Sequence, residues 1–275
     1  MKPEGGSYNR PVRRVAALIA LLACGAGAAI WYYSTGRATP VRVEEPATDE
    51  NAWLDQLYSS NPSEAEAATR QVEALGANAL PAIHATLQDP GATPERVKAA
   101  LKACGILGPA AAPAIGEVAE QLPDPTVTAE AAVALSFMGR GAFGPLRDAL
   151  SSEDPVVRRE SLRSIGKLKD RAPLDARAVL PLLIDALDDA HPGVRTVAAT
   201  YLGIIHEGGP DAVLALADAL KDAEPTVRRA AAAALGSFGA DATPALPALK
   251  KAAGDADPDV AREAGVTLVK LQPQK

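Results

Sequence analysis

Cysteine and histidine are scarce in this chain. Two cysteines, Cys24 and Cys104, cannot build a disulfide scaffold, and His84, His191 and His206 are too few for a histidine-rich metal centre. A Gly-rich phosphate loop, a Ser-His-Asp pattern and a CxxC pair are all missing, so the sequence offers no catalytic set, metal site or cofactor site. A basic excess is missing too: 28 Lys and Arg stand against 34 Asp and Glu, a net charge of -6, which suits nucleic acid poorly. What is present is a packed, mildly acidic composition, 48% apolar and 23% charged. Proline is abundant, 23 of 275 residues, about 8% where about 5% is usual. In a chain otherwise rich in helix-favouring alanine and leucine, that predicts many short helices punctuated by proline.

The first fifty residues carry an address. Val15 to Tyr33 are 19 positions without a charge, roughly 28 Å as a helix, close to the ~30 Å hydrocarbon core of a bilayer. Lys2, Arg10, Arg13 and Arg14 precede the run against Glu4 alone, which keeps the N-terminus in the cytoplasm and sends the rest across. Trp31, Tyr32 and Tyr33 fall where an interfacial aromatic belt would sit. Three readings share these residues: a retained transmembrane anchor, which the length favours; a lipoprotein signal ending at Leu21-Leu22-Ala23-Cys24, with Cys24 lipidated; and a signal peptide cleaved after Ala26-Gly27-Ala28. All three export the remainder. The expected divisions are a basic segment over 1–14, the anchor or signal over 15–33, a linker over 34–50 and a folded body over 51–275.

The body repeats one unit seven times. Prolines 62, 94, 125, 155, 192, 225 and 258 are spaced 32, 31, 30, 37, 33 and 33 apart. Six residues beyond each stands a small residue: Ala68, Ala100, Ala131, Ser161, Ala198, Ala231 or Ala264. Ten beyond stands an apolar one: Val72, Cys104, Leu135, Ile165, Leu202, Leu235 or Leu268. Both positions share one helix face, and Val127, Val157, Val194, Val227 and Val260 extend it. Shorter helices between them are expected to open at Pro81, Pro113, Pro145, Pro181 and Pro247, while Gly76, Gly108, Gly139 and Gly239 are placed to end the longer ones with a positive φ. A single helix pair cannot bury its apolar face, but consecutive pairs cover each other.

Segments such as ALDDAHPGVRTVAATYLGIIH and ALKDAEPTVRRAAAAALGSFG resemble the short HEAT-like repeats first grouped with phycobilin lyases. The resemblance covers about Asn51 to Leu271. It implies an all-α fold, an α-solenoid of about seven HEAT-like helix pairs, here preceded by one N-terminal hydrophobic helix. It also implies a ladder linking an aspartate to an arginine six residues on, matched by Asp189 with Arg195 and Asp222 with Arg228. Ser152 opposite Arg158 and Ala261 opposite Asp255 predict that the ladder is interrupted.

Candidate sites are few. His206-Glu207 resembles one of the His-Glu pairs of deoxyhypusine hydroxylase, a HEAT-repeat di-iron enzyme. The equivalent positions elsewhere hold Gly76, Gly108, Gly139, Lys169, Gly239 and Gln272, so a histidine near a helix C-terminus is the expected role. Arg159, Arg163 and Lys167 lie four apart on one face of the fourth repeat and form the candidate partner contact, against the alternative of a solvated face. Cys104 sits in the apolar register and reads as a buried thiol. Trp53, Leu54, Leu57 and Tyr58 read as a cap over the first repeat. The functional expectation is a membrane-tethered scaffold or adaptor outside the cytoplasm, in a bacterial periplasm or cell envelope, binding a protein partner and no nucleic acid. A HEAT-type lyase or a metal-dependent enzyme is the alternative.

Overall fold

The computed structural model describes residues 21–22, 29–34, 37–42, 51–172 and 174–271. They fall into two units, Met1–Ala52 and Trp53–Lys275. In the first, β1 (Leu21–Leu22), β2 (Ala29–Ser34) and β3 (Arg37–Arg42) form an antiparallel sheet, with Ile30 opposite both Leu21 and Val41 and Ser34 opposite Arg37. β1 and β2 fall within the predicted segment 15–33 and β3 takes six residues of the predicted linker, while residues 15–20 and 23–28 of the expected N-terminal helix lie outside the described residues. Trp31, Tyr32 and Tyr33 favour extended backbone, and Arg37–Arg42 supplies the backbone partners that a strand needs. Cys24 and the basic residues of segment 1–14 lie outside the described residues.

The second unit has no strand among its described residues. Seven longer helices form one row: α2 (Pro62–Leu75), α4 (Pro94–Leu107), α6 (Thr128–Phe137), α8 (Pro155–Arg171), α10 (Pro192–Ile205), α12 (Pro225–Ser237) and α14 (Pro258–Lys270), each packed on the next. A shorter helix precedes each: α1 (Ala52–Gln56), α3 (Leu80–Leu87), α5 (Ile115–Glu120), α7 (Phe143–Asp148), α9 (Ala176–Asp185), α11 (Gly209–Ala219) and α13 (Leu246–Ala252). The seven helix pairs expected from the proline register are therefore present. In six of the long helices proline is the first residue, where its missing N–H costs nothing. Asn61, Thr93, Asp154, His191 and Asp257 cap the amides just beyond it. The third repeat departs from the rule. Asp124 Oδ1 accepts from both the amide and the hydroxyl of Thr126, Val127 leaves the helical region, and α6 opens only at Thr128. Pro181 also departs, standing well inside α9, which opens after an Asp175 cap.

The core lies between the two rows. The small residues six beyond each proline, from Ala68 to Ala264, are all fully buried, and so are Val72, Cys104, Leu135, Ile165, Leu202 and Leu235. Alanine or serine at the crossing lets helix backbones approach, and the large residue one turn on fills the gap between layers. Pro94–Glu120 is long and apolar enough to cross a membrane by composition, the one such segment among the described residues. It consists of α4, a 3-10 stretch and α5, and Leu101, Ala103, Cys104 and Val118 along it are buried in the stack, so its apolarity belongs to the core.

A ladder of ion pairs runs along the last four repeats without interruption, correcting the expectation above. Arg158 donates to Asp189 (2.7 and 2.7 Å), Arg195 to Asp222 (2.7 and 2.7 Å) and Arg228 to Asp255 (2.8 and 2.8 Å), each as a two-pronged fork. The third nitrogen of each guanidinium donates to the carbonyl six residues before it, on Ser152, Asp189 and Asp222. Each aspartate also accepts the amide two residues on, at His191, Glu224 and Asp257. The arginine fork, above all, holds all three carboxyls below the ordinary aspartate range.

Candidate protein-interaction face

The long helices carry chemistry on the side that does not meet the short row. Across α4 and α6 an open groove of about 550 Å³ is lined by Leu101, Gly105, Ile106, Val133, Ala134 and Phe137, with Tyr58 at one end. Tyr58, Val133 and Phe137 are 50%, 38% and 39% exposed, so the groove presents apolar surface to water. Gly105 makes it a groove: in place of a side chain it leaves room facing the Phe137 ring, 3.9 Å from where a Cβ would stand.

A cation sits on the ring at either end. Lys102 Nζ lies 4.8 Å from the Tyr58 ring centroid and donates to the Leu57 carbonyl at 2.7 Å. The Arg171 guanidinium lies 4.0 Å from the Phe137 centroid and donates to Ser136 Oγ. Such contacts contribute about 0.5–1 kcal/mol at exposed sites and fix the rings in place. Burial first, and Glu130 second, push the Tyr58 phenol up.

The predicted stripe continues this face onto α8. Arg159, Arg163 and Lys167 are all half-buried. Arg159 Nε lies 2.9 Å and Arg163 3.4 Å from the carboxylate of Glu160, which is buried, so two of the three guard a carboxylate that would otherwise be desolvated without a partner. Lys167 makes no ion pair among the described residues. In the fifth repeat the face turns to Thr196, Thr200 and an exposed Ile204, and both hydroxyls bond back to their own helix.

The sequence profile of HEAT repeats matches residues 143–223 and again 180–270, the stretch holding α7 to α14. HEAT repeats are thus recognised over residues 143–270. Solved structures similar to it include the complex of CpcE and CpcF of phycocyanin lyase from Nostoc sp. PCC7120, 28% identical over 57% of this chain and 98% of that one, with a TM-score of 0.47. Human deoxyhypusine hydroxylase in complex with glycerol is 20% identical over 80% of this chain and 83% of its own, TM-score 0.39. A computationally designed armadillo repeat protein for modular peptide recognition is 21% identical over 80% and 99%, TM-score 0.41. No curated protein matches the chain.

The remaining candidates are spread through the stack. His206 ends α10 in the left-handed conformation (φ 37°), the position where Gly76, Gly108, Gly139 and Gly239 take a positive φ in their own repeats. Its Nδ1 lies 3.0 Å from the Ile204 carbonyl, while Glu207 is held by Lys169 at 3.2 Å. Cys104 is fully buried, and desolvation first pushes its thiol up to about 12, out of reach of thiolate chemistry at neutral pH. Trp53, Leu54 and Leu57 are buried as a cap requires, against α4, whereas Tyr58 turns outward to the groove. The sequence register marks Ala129, Val133 and Phe137 as one helix face. It does not show that Tyr58, from before the first repeat, and Gly105, from the second, complete a groove beside them.

Proposed function

We propose that this protein is an exported, membrane-tethered scaffold or adaptor that holds a protein partner on the outer face of its long-helix row. The observation that carries the reading is the apolar groove over α4 and α6 continuing into the cationic face of α8, because exposed apolar surface rimmed by charge marks an interaction site. The arginines before Val15 and the uncharged run after it support the tether and the export. Affinity capture of the tagged full chain from detergent-solubilised membranes is expected to return a protein in fixed ratio to the bait. Lys167→Glu should release it, and Lys167 is the residue to change because reversing Arg159 or Arg163 would strand Glu160. No protein in fixed ratio would sink the scaffold; a protease that digests the repeats from the cytoplasmic side of intact membranes would sink the export.

A further inference from the structure

Resting on that scaffold reading, the groove's chemistry specifies what kind of segment it holds. Charges on the face are unevenly matched. Glu160 is engaged by Arg159 and Arg163, and Glu130, which lines the groove near Tyr58, is matched by Lys98 at 3.6 Å. Lys102, Lys167 and Arg171 are left without an acidic partner among the described residues, in a chain whose net charge is -6. They are not scattered. Lys102 stands at the Tyr58 end of the apolar groove, while Arg171 stands at its Phe137 end with Lys167 one turn before it on α8.

We infer that the groove takes an extended peptide segment in which a large apolar or aromatic side chain is flanked on both sides by carboxylates. The anchor lies between α4 and α6 over Gly105, and the carboxylates meet Lys102 on one side and Lys167 with Arg171 on the other. The Arg171 guanidinium lies 4.0 Å from the Phe137 centroid and that ring comes to 3.9 Å of where a Gly105 Cβ would stand, so an extended chain lying over Gly105 reaches the α8 cations within about four residues. Cations at both ends separate a peptide from a lipid. A single-headed amphiphile satisfies one end and leaves the other, whereas a chain crossing the helices reaches both. Binding would withdraw Tyr58, Val133 and Phe137 from water in one step and give the three cations their missing counter-charges.

The test is a selection of random dodecapeptides displayed on phage against the full chain held in lipid nanodiscs, with empty nanodiscs as counter-selection. The expected consensus has one aromatic or large aliphatic residue with Asp or Glu within about four positions on each side. A synthetic peptide of that consensus, followed by fluorescence anisotropy, should bind at least tenfold more weakly to Gly105→Leu. A Cβ there makes only ordinary contact with Phe137 and Ala134, and an unchanged helical circular-dichroism signal and thermal midpoint are expected to accompany the loss of binding. The double variant Lys167→Glu with Arg171→Glu should also lose at least tenfold, and selection repeated on it should exchange the acidic residue at that end for Lys or Arg while keeping the anchor. A consensus without acidic residues, or affinity indifferent to both variants, overturns the groove assignment and leaves the scaffold reading standing. Saturable binding of phosphatidylglycerol vesicles that removes peptide binding in the wild type assigns the face to lipid and overturns it as well. No enrichment at all, together with no protein captured from membranes, overturns both readings.

Discussion

Arg195→Ala tests the ladder at its middle rung. The guanidinium makes two charge-assisted bonds of 2.7 Å to Asp222 and a third of 2.9 Å to the Asp189 carbonyl, with both side chains about one-eighth exposed. Bonds to charged groups contribute about 1.5–3 kcal/mol each, but at this exposure water replaces part of what is lost, so a cost of about 2–4 kcal/mol is expected. Arg195→Lys keeps the charge but loses the fork and should cost about half as much. The pH dependence has a definite sign. Asp222 is held below the usual aspartate range by Arg195, so its contribution is complete above the unfolded value near pH 4 and is lost as pH falls through the lower folded value. The stability gap between wild type and Arg195→Ala should therefore narrow between about pH 5 and pH 2. Because the rung joins the fifth repeat to the sixth, urea unfolding followed by helical circular dichroism should also broaden or split in two as the nearest-neighbour coupling weakens. A gap below about 0.5 kcal/mol at pH 7, or one that stays constant down to pH 2.5, refutes the argument.

Two substitutions probe the packing of the long helices. A Cβ on Gly166 would overlap the Tyr201 ring, so Gly166→Ala should cost about 1–3 kcal/mol in denaturant unfolding; in a Tyr201→Ala background it should instead stabilise by about 1 kcal/mol through helix propensity, and the absence of that reversal would show the contact is not the cause. Ser161 is fully buried at the small-residue position that other repeats fill with alanine, and its hydroxyl has no hydrogen-bond partner among the described residues, so Ser161→Ala should raise stability by about 1 kcal/mol; an unchanged or lower midpoint would count against it.

Most of the repeat was legible because proline, small residue and apolar residue answer to one geometry: a helix start, a close crossing and a core position on the same face. The ladder was misread because spacing along the chain is not the pairing. The arginine touches the residue six before it through a main-chain carbonyl, which any side chain permits, so Ser152 serves as well as Asp189. The carboxylate comes from the next repeat, 31 residues on for Arg158 and 27 for Arg195 and Arg228. Ala261 then needs no separate explanation: Asp255 already receives Arg228 from the repeat before.

The same logic accounts for the one irregular spacing. Pro155 to Pro192 is 37 residues where its neighbours run 30 to 33, and α8 is 17 residues long against 10 to 14 in the other long helices. The added length is an extra helical turn, and that turn carries Lys169 to Glu207 and Arg171 onto the Phe137 ring. An insertion in a loop would have changed nothing on the long-helix face. As a turn of helix in register with Arg163 and Lys167, it lengthens the row of side chains by one cation and closes the end of the groove. A search for catalytic motifs passes over such a feature because no single residue in it is unusual. The signal is the interruption of the period, and it falls beside the one place on the long-helix face where an apolar groove and unpaired cations meet among the described residues.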